Sequence, residues 1–203
     1  MKFLCKKELF TNAVLNASRI ASKKAALDVL NFIVIEAEKN NVVLKSTNIE
    51  TGLVITLPAK VSMEGKIAIN GSLLLAYLSN IGTEINNLSI ELVGNNLLIA
   101  TTNSSTLIKT IKPDEFPEII VLQNKDSNNK DFIIKSEDLE NGIKSVYYSA
   151  SISEIKANLA GVYLNLDGEN VTFVSTDTFR LGEKRCSYKG KKGDDFNFII
   201  PTR

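Results

Sequence analysis

The sequence contains no histidine, and it has only two cysteines among its 203 residues. The missing histidine excludes Ser–His and Cys–His catalysis, histidine acid–base chemistry and histidine metal ligands. Cys5 and Cys186 lie too far apart in sequence for a metal-type spacing or a disulfide framework. No apolar run approaches the ~18 residues of a membrane helix, and charges follow the first residues too soon for a signal peptide. We therefore expect a cytoplasmic protein without membrane contact.

The chain also lacks an excess of charge of either sign. Lys plus Arg number 24 and Asp plus Glu number 23, which leaves a net charge of +1. Proteins that coat nucleic acid non-specifically usually carry a strong basic excess. Any contact with DNA must therefore depend on where individual cations lie.

Hydrophobic periodicity predicts an α+β fold in which one order of elements occurs twice. A strand at 2–5 and an amphipathic helix at 8–21 precede strands at 29–37, 42–47 and 53–57. A strand at 66–70 follows, then a helix at 73–78 with Ser72 as its N-cap, and strands at 88–92, 97–102 and 105–111. Residues 1–112 thus form two β-α-β-β-β halves, each with one apolar helix face to bury against the other.

A longer repeat, without a gap, relates the start of the chain to its second part at an offset of 129 residues. It pairs Phe3 with Phe132, and Thr47 with Thr176. The polar stretch 123–130 has the composition of a linker. We predict a complete domain one at 1–122 and a second copy at 131–203, of which only about half is present. Its predicted elements are a strand at 132–135, a helix at 137–148, and strands at 161–166, 171–176, 180–188 and 196–200.

Four stretches in register with this duplication resemble the bacterial DNA polymerase III beta subunit, the sliding-clamp family. They are Met1–Phe3, Leu27–Leu30, Asp114–Pro117 and, above all, Ser175–Leu181. The resemblance implies the DNA-clamp fold, in which each domain consists of two β-α-β-β-β halves with helices on one face of the sheets. It implies three domains per subunit, of which the third is absent from this chain. Two full-length subunits would close head to tail into a ring around double-stranded DNA.

The resemblance further implies a processivity factor in DNA replication, without catalysis, cofactor or metal. Its partners would be double-stranded DNA, the replicative polymerase, the clamp loader and other proteins that dock through a short peptide. The full-length protein would be a homodimer.

The resemblance places candidate DNA contacts at five positions. Lys24 stands where the family has an Arg beside DNA, with Lys23 next to it, and Arg203 aligns with a family Lys. Ser153 and Lys156 lie in a loop that also reaches DNA in the family. The residues alone favour a plainer interpretation for the lysines, a solvated loop with cations near a helix C-terminus. Family aromatics are replaced by Ala157 and Asn158, and a family basic pair by Ser72 and Leu73, so DNA-facing charge is thinner here.

The resemblance also implies a pocket for partner peptides, formed by Leu159, Thr176, Thr178, Phe179, Arg180 and Leu181. The residues alone are typical of a strand end and a turn in which Asp177 accepts backbone N–H groups. In that interpretation Leu159 and Leu181 belong to the core. Thr178 and Phe179 depart from the family, where a smaller residue and His or Tyr are common, so peptide preference should differ.

An alternative without DNA remains open: an α+β oligomerisation or scaffold module that binds proteins alone. The sequence beyond Arg203 distinguishes the two hypotheses. A third copy of the domain favours the clamp, and an early end favours the scaffold.

Overall fold

The computed structural model describes residues 1–21, 28–117, 119, 132–187 and 196–202. The chain divides into two compact units, Met1–Val121 and Leu122–Arg203. The predicted linker at 123–130 lies outside the described residues. Within the described residues, no helix combines the length and the apolar character needed to cross a bilayer.

The described residues of unit one form two α-helices and nine strands, with 3-10 turns at Asp28–Asn31 and Pro113–Glu115. The helices are α1 (Lys7–Ile20) and α2 (Gly71–Ser79). The strands are β1 (Lys2–Lys6), β2 (Phe32–Glu38), β3 (Asn41–Thr47), β4 (Gly52–Pro58), β5 (Lys60–Met63), β6 (Gly65–Asn70), β7 (Asn87–Val93), β8 (Asn96–Ala100) and β9 (Ser105–Ile111).

The nine strands form one antiparallel sheet with the order β4-β3-β2-β6-β9-β8-β7-β1-β5. The first strand of each half pairs with the other half, because β6 lies beside β2 and β1 lies beside β7. This exchange makes the two halves one folding unit. The two edge strands, β4 and β5, are consecutive in the chain and separated only by Ala59, so the sheet must curve until its ends approach each other.

The core of unit one lies between this curved sheet and its two helices. Helix α1 buries Phe10, Ala13, Val14 and Ala17 at three- and four-residue spacing, which confirms the predicted amphipathic helix. The helices meet where Ser18 Oγ donates a hydrogen bond to the Gly71 carbonyl at 3.1 Å.

Three details of the prediction for unit one were wrong. The N-cap of α2 is Asn70 and not Ser72, because the Asn70 Oδ1 accepts the backbone N–H of Leu73 at 3.1 Å. The strand predicted from residue 29 begins at Phe32, after a 3-10 turn. Strand β5 was not predicted, because an edge strand with one half-buried apolar residue, Val61, shows no clear alternation.

Unit two repeats the helix α1 and the strands β2, β3, β4 and β6 of unit one. Helix α3 (Ser136–Val146) continues into a 3-10 turn at Tyr147–Ser149, and a second 3-10 segment spans Glu154–Leu159. The strands are β10 (Gly161–Leu166), β11 (Asn170–Thr176), β12 (Leu181–Ser187) and β13 (Phe196–Pro201). Their order, β12-β11-β10-β13, corresponds to β4-β3-β2-β6.

Backbone pairing confirms the offset of 129 residues. Val34 pairs with Lys45 in unit one, and Tyr163 pairs with Val174 in unit two. The strand predicted at 132–135 is wrong, since these residues form no strand. Its counterpart β1 pairs with β5 and β7, and the described residues of unit two include no equivalent of either strand. Phe132 is held instead by aromatic packing against Phe196, with ring centroids 5.5 Å apart.

At one position where the helix faces the sheet, the two units differ in which element carries the larger side chain. In α1, Ala13 occupies the position of Gly142 in α3, and in the sheet Leu44 occupies that of Phe173; all four are buried. A Cβ added at Gly142 would lie 2.6 Å from Phe173 Cδ2. The larger ring therefore requires glycine on the facing helix, whereas the smaller leucine accommodates alanine.

Candidate functional site

The residues predicted for the peptide pocket meet at the turn between β11 and β12. Thr176 ends β11 and pairs with Leu181, the first residue of β12. The Thr176 hydroxyl donates to the Arg180 carbonyl at 2.7 Å and accepts the Thr178 N–H at 3.1 Å. Thr178 has a φ of 81°, the left-handed conformation that lets so short a loop reverse direction.

Asp177 organises the remainder of this turn. Its Oδ1 accepts the backbone N–H groups of Phe179 and Arg180, both at 3.0 Å, which confirms the predicted cap. Its Oδ2 accepts the Arg180 Nε at 3.0 Å. The Phe179 N–H, followed by that of Arg180, lowers the pKa of Asp177 below its usual range.

The turn between β3 and β4 in unit one has the same design. The Thr47 hydroxyl donates to the Thr51 carbonyl at 2.9 Å and accepts the Ile49 N–H at 3.0 Å. Asn48 Oδ1 accepts the Thr51 N–H at 2.7 Å, and Ile49 has a φ of 81°. The backbone of the candidate site is therefore a structural element that occurs in both units, and only its side chains distinguish the unit-two turn from the unit-one turn.

The unit-two turn carries two exposed apolar side chains on either side of Arg180, and a third exposed ring, that of Tyr148, lies near the Arg180 guanidinium. Phe179 is 96% exposed, Leu181 65% and Tyr148 58%. The Arg180 guanidinium lies over the Tyr148 ring, 6.0 Å from its centroid. We call these four residues the hairpin-tip surface. The interpretation of Leu181 as a core residue is therefore wrong, because its side chain is 65% exposed. Large exposed apolar side chains such as Phe179 and Leu181 are typical of a contact surface.

In unit one, Ile119 lies against the position that corresponds to Leu181. Gly52 stands where Leu181 stands in unit two, and a Cβ on Gly52 would lie 2.7 Å from Ile119 Cγ2. In unit one, Ile119 therefore occupies the space that a side chain at this position would need, although the turn itself stays exposed at Ile49 and Gly52.

Leu159 lies at the same end of the unit-two sheet. Its carbonyl accepts the Ser151 N–H at 2.9 Å, and it precedes β10 by two residues. The Ser175 hydroxyl, next to the turn, donates to the Gly161 carbonyl at 3.3 Å and ties β11 to the start of β10. Leu159 is half-buried, whereas Leu30 at the equivalent position of unit one is buried.

The candidate DNA contacts are only partly described. Lys23, Lys24 and Arg203 lie outside the described residues. Ser153 and Lys156 are exposed in the segment between the Tyr147–Ser149 turn and β10. They therefore lie in the same connection as Leu159, and whether any of the five contacts DNA stays a prediction.

Sequence reasoning missed Tyr148, which was predicted only as the end of a helix. It comes to Arg180 because α3 packs along β12, where Gly182 allows a close approach: a Cβ there would lie 3.1 Å from the Ser149 hydroxyl. Gly182, directly after Arg180 and Leu181, was the feature of the sequence that could have indicated this close approach.

Comparison with known folds places this arrangement among the bacterial DNA clamps. A sliding clamp from Bacillus subtilis superimposes with a TM-score of 0.89 at 18% identity, over 99% of this chain and 54% of that one. A beta clamp from Helicobacter pylori, solved in complex with 3,4-difluorobenzamide, gives 0.84 at 25% identity, over 99% of this chain and 55% of that one.

The sequence comparisons agree in both units. Residues 1–120 match the DNA polymerase III beta subunit N-terminal domain, and residues 133–203 match its central domain. The chain belongs to the DNA polymerase III beta subunit family.

Individual relatives are distant but match all or nearly all of the chain. The beta sliding clamp of Buchnera aphidicola subsp. Acyrthosiphon pisum is 24% identical over 204 residues, 100% of this chain and 54% of the relative. That of Micrococcus luteus is 24% identical over 188 residues, 93% of this chain and 58% of the relative. The chain thus spans little more than half the length of these relatives.

Proposed function

We propose that the chain is the N-terminal and central-domain part of a sliding clamp, a processivity factor that encircles double-stranded DNA and tethers the replicative polymerase. The carrying observation is that both family domains match in tandem and in the family's order. The clamp acts without catalysis of its own, in the cytoplasm, and closes its ring as a homodimer of the complete protein. The domain boundaries at 122 and 131 belong to this proposal.

A balanced net charge suits a protein that must slide. Each phosphate that a protein neutralises releases counterions and adds salt-dependent affinity, which resists movement. A chain with a net charge of +1 and single exposed cations such as Lys156 is compatible with weak contacts around a wide hole. Topological enclosure, and not affinity, then provides retention on DNA.

Encirclement can be tested directly with the complete protein that carries this chain. The protein is loaded on a nicked circular plasmid with its clamp loader, and retention is measured by gel filtration before and after one cut linearises the plasmid. A clamp stays on the circle and leaves the linear form. Equal retention on both forms, or none on the circle, contradicts the proposal and favours the scaffold hypothesis.

We propose Lys156 as a DNA contact with Lys23, Lys24, Ser153 and Arg203. Lys156→Glu should reduce the salt dependence of DNA binding by about one phosphate contact. Lys184→Glu is the matched control, since Lys184 is also exposed but lies on β12 of the sheet. The measurement is the slope of the logarithm of the binding constant against the logarithm of salt concentration. Equal slopes for both variants refute the assignment.

We propose that partner peptides dock on the hairpin-tip surface, with Leu159, Thr176 and Thr178 forming the rest of the site. Large exposed apolar side chains are suited to receive apolar anchors of a peptide. Phe179→Ala should weaken binding of a synthetic peptide copied from the organism's own polymerase by about 1–3 kcal/mol, with an unchanged melting temperature.

Ile49→Ala is the control for Phe179→Ala, because Ile49 is 68% exposed on the equivalent turn of unit one. It should leave peptide affinity unchanged in calorimetric titration. Leu159→Ala should weaken binding as well, with melting measured in parallel because Leu159 is half-buried. Wild-type affinity in both Phe179→Ala and Leu159→Ala removes the peptide site from the proposal.

A further inference from the structure

The internal repeat shows which parts of the unit-two turn are needed for its backbone. Asn48 Oδ1 accepts a backbone N–H across the turn at 2.7 Å, just as Asp177 Oδ1 does at 3.0 Å. The positive φ and both threonine hydrogen bonds are also common to the two turns. An amide is therefore sufficient to make this turn, and the carboxylate of Asp177 has a different role.

The second carboxylate oxygen makes the difference. Asp177 Oδ2 accepts the Arg180 Nε at 3.0 Å, whereas the unit-one copy has Asn48 and Thr51 at these positions and no such ion pair. The acid and the base are thus present together in the unit-two turn. Both are absent from the unit-one turn.

The Arg180 guanidinium is held on two sides. Nε is bound to Asp177, and one face lies 6.0 Å from the centroid of the Tyr148 ring, within cation–π range. Within the described part of the chain, the terminal Nη groups donate no hydrogen bond. The Arg180 side chain is 55% exposed. An arginine restrained at Nε and at its face presents its Nη edge as a fixed fork.

We propose that Asp177 and Tyr148 are positioning residues, which hold Arg180 so that its two Nη groups receive a carboxylate of the bound peptide. The inference rests on the proposed peptide site. A free arginine loses rotamer entropy when it binds, and one held beforehand loses less. The fork geometry of guanidinium matches a carboxylate with two parallel hydrogen bonds.

The restraint can be measured without a ligand. The chain has four arginines, so the Nε–Hε signals of its NMR spectrum can be assigned singly. We expect a high order parameter for Arg180 and a low one for Arg185, which is exposed and 4.0 Å from its acidic neighbour. Asp177→Asn should lower the Arg180 value while leaving the backbone amides of the turn unchanged, because asparagine keeps the Oδ1 acceptor.

Tyr148→Ala should lower the Arg180 order parameter too, and Tyr148→Phe should restore it, because phenylalanine retains the ring face. An Arg180 signal as mobile as that of Arg185 in the wild type overturns the inference. So does an unchanged Arg180 signal in both Asp177→Asn and Tyr148→Ala.

Recognition is tested with two probes, N-acetyl-Leu-Phe with a free C-terminal carboxylate and the same dipeptide as its amide. In NMR titration of the wild type, the carboxylate should bind roughly tenfold more tightly, the scale of a charge-assisted hydrogen bond. Asp177→Asn should reduce this preference several-fold. Arg180→Thr should abolish it, and the double variant should match Arg180→Thr, because a positioning residue has no effect once its target is gone.

The outcomes separate the two proposals. Binding of neither probe overturns the proposed peptide site and this inference with it. Equal binding of both probes overturns the inference alone. Tighter carboxylate binding in Asp177→Asn also overturns it, since Asp177 would then compete for Arg180 and not position it.

Discussion

Enlarging Gly142 and shrinking Phe173 tests whether these two side chains fill the same helix–sheet space as Ala13 and Leu44 do in unit one. Gly142→Ala alone gains about 1 kcal/mol in helix propensity. It also drives a methyl group to within 2.6 Å of Phe173 Cδ2, and overpacking of this kind costs about 1–3 kcal/mol. We expect a net loss of roughly 1 kcal/mol for this single variant.

Phe173→Leu removes three buried carbon atoms and should cost roughly 2 kcal/mol, at about 0.8 kcal/mol for each. The double variant reproduces the Ala13–Leu44 pair of unit one. It retains the helix-propensity gain, loses the clash and fills part of the vacated space with the new methyl group. We therefore expect it to be destabilised by only about 1 kcal/mol, so that the coupling free energy between the two sites is about 2 kcal/mol.

Native-state hydrogen exchange of the β10 and β11 amides is the appropriate assay, because the chain has no tryptophan and two units that need not unfold together. Asn141→Ala is the control: Asn141 precedes Gly142 on the exposed side of α3, so it reports helix propensity without the clash. Additivity of the two single variants within about 0.5 kcal/mol refutes the reasoning. Stabilisation by Gly142→Ala alone refutes it as well.

Three further outcomes follow from the structure. Burial raises the pKa of the Cys5 thiol to about 12, so iodoacetamide at pH 8 should label the half-buried Cys186 and spare Cys5, as read by mass spectrometry; equal labelling contradicts the buried position of Cys5. The backbone N–H groups of Asn170 and Glu169 lower the pKa of Asp167 below 3.8. The stability that this turn gains from the carboxylate is therefore present above that pH and is lost as the pH falls through the lowered pKa. A titration midpoint of Asp167 at or above 3.8, measured by NMR, contradicts this prediction. Amides of residues 1–112 should exchange more slowly than those after 131, because the described core of unit two comprises six buried residues and that of unit one extends across the whole unit; equal protection contradicts the predicted truncation.

Local pattern was sufficient for much of the fold. Alternation and three- and four-residue spacing depend on which face of an element is buried, so α1 and most strands could be located from the chain alone. The repeat was detectable because equivalent core positions keep equivalent residue types, and the strand pairings of the two units agree with its offset of 129 residues. The Asp177 cap was predictable for a similar reason, since its hydrogen bonds reach only two and three residues along the chain.

Contacts between segments distant in sequence decided the rest. Residues 132–135 have the composition of a strand but no partner strand among the described residues. Leu181 is apolar yet exposed, whereas in unit one Ile119 lies against the equivalent position, Gly52. Tyr148 reaches Arg180 only because Gly182 lets α3 pack closely against β12. Hydrophobicity determines which residues can be buried. Whether they are buried, and which side chains they contact, depends on the segments that the fold places beside them. The contacts of the candidate site between distant segments were therefore decided by the tertiary structure.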